Sequence, residues 1–185
     1  MRGVSDKNFL IKFCEDFCKI VEKHSPYIIV SGFVAILSGR TRATEDIDMI
    51  IPKLTKEKFT ALHKDLKKSG FSCIQGNNPK ILFEDYLSEK TSIRYIKGKQ
   101  LLPEMELKFA KDELDEDQIK NRQKIPLTGT HIWFSSIETN IAFKEEYLKS
   151  DKDLEDARHL RIVYKEEIDD KEINRIKNQI KRFRL

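Results

Sequence analysis

Asp46 and Asp48, in the run Glu45-Asp46-Ile47-Asp48-Met49-Ile50-Ile51, are the residues of this 185-residue chain whose type and spacing most directly allow chemistry. Asp46 to Ile51 reads as a strand stopped by Pro52, because proline cannot donate to a sheet ladder. Strand side chains alternate between faces, so both aspartates project on one side, with alpha carbons about 6.5 to 7 Å apart. Ile47, Met49 and Ile51 fill the other face, and Ile50 carries the aspartate face into the interior. Two carboxylates held this close repel unless a cation bridges them. Oxygen-only ligation suits a hard ion such as magnesium. The bland alternative is an exposed strand start with two solvated acids.

A second chemical feature lies just upstream. Tyr27 to Val30 suits a buried strand, and Ser31-Gly32 reads as a turn into a short helix of Phe33, Val34, Ile36 and Leu37 that ends near Gly39. A glycine opening a helix leaves amide donors that can cradle phosphate. A third feature is Lys144. Ser135 to Glu138 reads as a capping box, and on the helix it opens Ile137, Ile141 and Leu148 share a narrow sector with Lys144 at its middle. The lysine stem can pack on the core while the ammonium reaches a polar pocket. On the next helix Leu154, Ala157, Leu160 and Tyr164 define an inner face, with Asp153 inside that sector and Asp156 at its edge. Two adjacent helices thus carry misplaced charges of opposite sign, which fits either a structural Lys144 to Asp153 pair or a shared site.

Strand, glycine turn, helix and D-x-D together resemble the nucleotidyltransferase superfamily of the DNA polymerase β type. V-S-G-F-V-A-I-L followed by R-x-T-E-D-I-D is similar to its small prokaryotic branch, which includes abortive-infection type II toxins and minimal nucleotidyltransferases. The resemblance covers most of residues 27 to 160 and implies an α/β (α+β) fold, a mixed sheet flanked by helices. It implies transfer of a nucleoside monophosphate from a nucleoside triphosphate to a hydroxyl of RNA (tRNA included), a protein or a small molecule, with two magnesium ions. A cognate antitoxin is the partner that the toxin branch would imply. Asp46 and Asp48 match the paired metal ligands, and Glu106 matches the third carboxylate, which the family mostly has as Asp. Ser31, Gly32, Arg42, Thr44, Lys144 and Asp153 fall to the triphosphate site. Lys144, Asp153 and Asp156 match an inward lysine followed by K-x-D-L-x-D. Phe33 stands where the family has a second small residue. A non-catalytic nucleotide-binding or protein-interaction module that keeps the fold is the alternative.

The remaining chain supplies the scaffold. At 185 residues it holds one sizeable core, read as a core over residues 1–134 with a helical C-terminal region over 135–185. The content is 39% hydrophobic with 11 phenylalanines, enough to exclude general disorder. No stretch is apolar enough for a membrane span or a signal core, so the expected location is the cytoplasm. The odd cysteine count argues against a disulfide framework, and Cys14 and Cys18, one helical turn apart, read as buried thiols. Phe9, Phe13, Phe17, Ile20 and Val21 predict an amphipathic helix over residues 6–24. Thr55 caps another that Gly70 ends, and His63 on it reads as packed or surface. Strands are expected at 71–74, 81–86, 91–96, 104–109 and 131–134. In the alternation over 104–109 Glu104 and Glu106 share the polar face with Lys108, with Met105, Leu107 and Phe109 opposite. The acidic run 112–117 reads as a solvated loop or helix start. The net charge of +4 permits an acidic partner, and the basic tail over 171–185 reads as a docked amphipathic helix with a face for nucleic acid.

Overall fold

Strands β1 (Ile28–Val30), β2 (Asp46–Ile51), β3 (Phe71–Cys73), β4 (Ile93–Lys97) and β5 (Glu104–Phe109) form one mixed sheet in the order β1-β2-β5-β4-β3. The computed structural model describes residues 3–41, 46–98 and 102–185. β2 and β5 run parallel at the centre and every other pairing is antiparallel. A parallel neighbour requires a crossover connection. Here helix α3 (Lys56–Lys68) with β3 and β4 fills the interval between β2 and β5.

The alternation along each strand decides which face is dry. Ile47, Met49, Ile93, Tyr95, Met105 and Leu107 are fully buried on one face. They share a cluster with Phe13 and Phe17 of α1 (Gly3–Val21) and with Phe59, Leu62 and Leu66 of α3. Phe17 meets the Tyr95 ring at 5.4 Å, and His63 Nδ1 lies 2.8 Å from Tyr95 Oη. Cys14 and Cys18 are buried with their sulfurs 3.8 Å apart. Phe9 lies outside the stripe, at 44% exposure. The opposite sheet face is dry only at one end, where Ile28 and Ile50 pack against Ile119 of α5 (Glu113–Lys120). The carboxylates occupy the rest of that face.

Two strand expectations are corrected. Residues 81–86 are helical rather than a strand: α4 (Pro79–Ile81) runs into a π-helical segment, Leu82–Leu87. The Asn78 side chain accepts from Lys80 N–H and proline stands in the first turn, and these start signals outweigh the β-like composition. Residues 131–134 form no continuous strand. Phe134 alone makes bridges, to Ile29 and Gln123, while Trp133 O accepts from Ile29 N–H at 2.8 Å. The run 112–117 starts a helix but is not uniformly solvated, because Asp112 caps α5 and Asp115 is buried.

Four helical segments complete the chain: α6 (Ile137–Phe143), continued by a π-helical turn at Lys144–Leu148, then α7 (Asp151–Val163) and α8 (Asp170–Arg184). The cap of α6 is Ser136, which accepts from Thr139 N–H, instead of Ser135. The π turn inserts an extra residue per turn and so rotates Leu148 off the inner stripe, to 43% exposure. Ile173, Ile176 and Ile180 bury one face of α8. Lys177 pairs with Glu145 at 2.6 Å and Arg184 with Asp112 at 2.9 Å, while Lys171, Arg175, Lys181 and Arg182 stay exposed. No described helix is long and apolar enough to cross a membrane.

Candidate active site

The parallel register of β2 and β5 sets Asp46 beside Glu104, Asp48 beside Glu106 and Ile50 beside Lys108. Side chains at paired positions of parallel strands point to the same face, so four carboxylates and a lysine share one patch. β1 places Val30 opposite Asp48, and β4 places Arg94 opposite Glu106. Glu106 therefore sits where the third-carboxylate expectation put it, in register with the second aspartate. Glu104 is one pair further toward the open end.

Countercharge comes from two side chains that the sequence did not single out for this role. Lys108 Nζ lies 3.1 Å from Asp48 Oδ1 and 3.9 Å from Glu106 Oε1. Arg94 lies 3.3 Å from Glu106 and 3.6 Å from Glu104. The Glu106 hydrogen bond holds the Arg94 guanidinium above its ordinary pKa. Partial burial, followed by the adjoining Asp46 carboxylate, pushes Glu104 up against the opposing pull of Arg94. Desolvation and a neighbouring like charge both favour the neutral carboxyl.

The donor chemistry is oxygen-only, which fits a magnesium ion. Among the described residues no three carboxylates already converge as a ready cage. Lys108 and Arg94 occupy part of the carboxylate surface, so ligation requires these ion pairs to open. Arg42 and Thr44 lie outside the described residues.

From Asp48 a cavity of about 160 Å³ extends beneath α6, bounded by Ser31, Lys108, Lys111, Asn140 and Lys144. Ser31 adopts φ 69°, a left-handed conformation uncommon outside glycine. Gly32 is instead the first, buried residue of α2 (Gly32–Leu37). The turn's demand for a permissive backbone thus falls one residue before the glycine. Phe33, at the position expected to be small, turns its ring into the core at 1% exposure. Ser31 N–H donates to Asn140 Oδ1 at 3.3 Å. Asn140 Nδ2 donates to Ser135 Oγ at 2.8 Å and to Ser136 O at 3.0 Å. Asn140 thereby couples the turn to α6, a function hidden in the sequence because its partner is 109 residues away.

Lys144 is 1% exposed yet lines this cavity. Its Nζ donates to Asp156 Oδ2 at 2.9 Å and to Asp153 Oδ1 at 3.2 Å. The lysine thus belongs to a buried ion-pair cluster and also borders the cleft. An ammonium has three donors, and these two aspartates engage two of them. The inner aspartate is Asp156, fully buried, while Asp153 keeps 17% side-chain exposure; this reverses the order expected from helical phase. Arg40 Nη1 lies 2.8 Å from Asp156 Oδ1, so one buried carboxylate bridges the cleft lysine and the segment leading to β2.

No family model and no curated protein matches the sequence. Eight solved chains match the structure. One is the antibiotic-resistance factor ANT(2'')-Ia, at TM-score 0.59 and 14% identity, covering 95% of this chain and 93% of that one. Another is an antigenic nucleotidyltransferase-like protein from Paracoccidioides brasiliensis, at TM-score 0.57 and 17% identity, covering 97% and 89%. The chain has the nucleotidyltransferase fold: a mixed five-stranded sheet with flanking helices.

Proposed function

We propose that this protein is a magnesium-dependent nucleotidyltransferase that moves a nucleoside monophosphate from a nucleoside triphosphate to a hydroxyl acceptor. The observation that carries the reading is the register pairing Asp48 with Glu106 beside Asp46, at the mouth of a cleft bordered by Ser31 and Lys144. Asp46, Asp48 and Glu106 would hold the metal. When bound, magnesium supplies positive charge against the triphosphate and lowers the pKa of the acceptor hydroxyl. The protein's own groups do the rest. Lys144, held by two aspartates, faces phosphate with an oriented ammonium. Lys108 moves from Asp48 toward the incoming anion, and Asn140 fixes the turn at Ser31. Arg42, Thr44 and Gly32 are assigned to phosphate from the sequence, and Asp153 to orienting Lys144. Preorganised charge of this kind lowers a transfer barrier because it needs no reorganisation at the moment of reaction.

A second reading, a non-catalytic nucleotide-binding or interaction module, is favoured by one observation: Lys108 and Arg94 already neutralise Asp48 and Glu106. Thermal unfolding with a nucleoside triphosphate, with and without magnesium, separates the two. A metal-dependent rise in melting temperature supports the transferase, and a rise indifferent to magnesium supports the binding module. The acceptor is an RNA, a protein or a small molecule, and label transfer to each class distinguishes them.

A further inference from the structure

The cavity that Asp48 lines is also lined by a side chain from α8, Arg184. Arg184 donates through Nε to Asp112 Oδ2 at 2.9 Å and through Nη2 to Asp112 Oδ1 at 3.1 Å and Asp115 Oδ1 at 2.7 Å. The guanidinium also lies 5.3 Å from the Phe143 ring centroid and 5.6 Å from that of Tyr147. Burial alone would lower its pKa, but Asp112 and Asp115 outweigh burial and raise it. The side chain is 11% exposed.

One planar group therefore ties the first turn of α5 to the aromatic end of α6, the two banks of the cleft. Asp115 in turn accepts from Gln118 Nε2 at 3.1 Å and from Lys111 N–H at 2.9 Å, so the buried amide of Gln118 is fixed through the same carboxylate. Tyr147, which lines the same cavity, stays 39% exposed. An aromatic side chain and a fixed amide in one cleft with Lys108, Lys111 and Lys144 fit a planar heteroaromatic ring joined to an anion.

The geometry points to Arg184 as a positioning residue for the nucleobase of the bound triphosphate, acting through Tyr147 and the Asp115–Gln118 pair. This rests on the nucleotide reading of the same cleft. A lysine at 184 cannot reproduce the role, because it lacks the fork that engages two carboxylates while stacking on aromatic rings. Helix α8 does not depend on this contact for docking, since Ile173, Ile176 and Ile180 are buried and Lys177 pairs with Glu145.

The test is calorimetric titration of the full chain, with magnesium, by a nucleoside triphosphate and separately by inorganic tripolyphosphate, for wild type, Arg184→Gln, Arg184→Lys and Tyr147→Ala. Wild type should bind the nucleotide more tightly than tripolyphosphate. Each variant should lose about tenfold of that preference, the scale of one stacked base, while tripolyphosphate affinity is kept. Combining Arg184→Gln with Tyr147→Ala should add little beyond either single change, as expected of coupled groups. An unchanged preference in Arg184→Gln overturns the inference, as does an equal loss for both ligands. If wild type binds neither ligand, the inference falls together with the nucleotide reading.

Discussion

Lys108 Nζ lies 3.1 Å from Asp48 Oδ1, across the parallel pairing of β2 with β5. The lysine is thus an internal countercharge for a carboxylate patch of Asp46, Asp48, Glu104 and Glu106. Removing it as Lys108→Gln should lower apo stability, because four clustered acids lose a neighbouring cation. The same change should enlarge the stabilisation given by millimolar magnesium, since the metal no longer competes with the ammonium. Melting temperature against magnesium concentration measures both effects. A smaller magnesium response in the variant would contradict the assignment of Asp48 as a ligand.

Register makes the two glutamates of β5 unequal. Glu106 pairs with Asp48 and Glu104 with Asp46. Glu106→Gln should reduce transfer by about 100-fold or more, as expected for loss of a group acting on transition-state charge. Glu104→Gln should have a much smaller effect and should ease the repulsion that raises the Glu104 carboxyl. Transfer rates for both variants decide it; the reverse ranking would shift the metal site by one pair along the strands.

Lys144 bears on stability as well as on the cleft. Lys144→Met leaves Asp156, which has no exposed surface, with Arg40 as its remaining cation, and should destabilise the fold by about 1 to 3 kcal/mol, the scale for losing one partner of a buried charged hydrogen bond. Adding Asp156→Asn should recover part of that loss. Denaturant unfolding of the two single variants and the double variant gives the coupling. A destabilisation below about 1 kcal/mol would mean that the pair is effectively solvated.

Acid should loosen α8. For Glu145, burial acts to raise the carboxyl, but hydrogen bonds from Arg161 and Lys177 outweigh it and hold the group below its ordinary value. Asp112 is likewise lowered, its burial outweighed by Arg184 and by backbone donors. A carboxyl with a depressed folded pKa contributes stability above its unfolded pKa and loses it as pH falls through the folded one. The loss therefore starts near pH 4.5 for Glu145 and near pH 3.8 for Asp112, their ordinary values, and grows below them. Amide exchange in α8, corrected for intrinsic rates, should accelerate over that range before exchange in β2 and β5. Uniform acceleration across the protein would contradict it.

Much of this arrangement was legible in the sequence, because alternation and helical phase are local properties. Period two placed Asp46 and Asp48 on one face and Glu104 and Glu106 on another strand's polar face, and a 3.6 period put Lys144 inward. Pairing could not be read the same way. Lys108 looked like one more charge on a solvated face until the parallel register brought it to Asp48. Asn140 and Arg40 act on partners more than 100 residues distant, and Arg184 acts on Asp112 across 72. The misjudged segments have physical causes as well. The strand expected at 81–86 lost to an asparagine cap and a proline start, and the π turn at Lys144–Leu148 broke the phase that had put Leu148 inward.

The account turns on whether the paired aspartates support nucleotidyl transfer. The most direct measurement incubates the protein with α-phosphate-labelled nucleoside triphosphates, magnesium and separate RNA, protein and small-molecule acceptor fractions, alongside Asp46→Asn and Asp48→Asn. The account predicts label in one acceptor class with wild type, loss of label on chelating magnesium, and none above background with either variant although both stay folded. Equal labelling by wild type and Asp48→Asn, or no labelling of any acceptor by wild type that binds the triphosphate with magnesium, would contradict it.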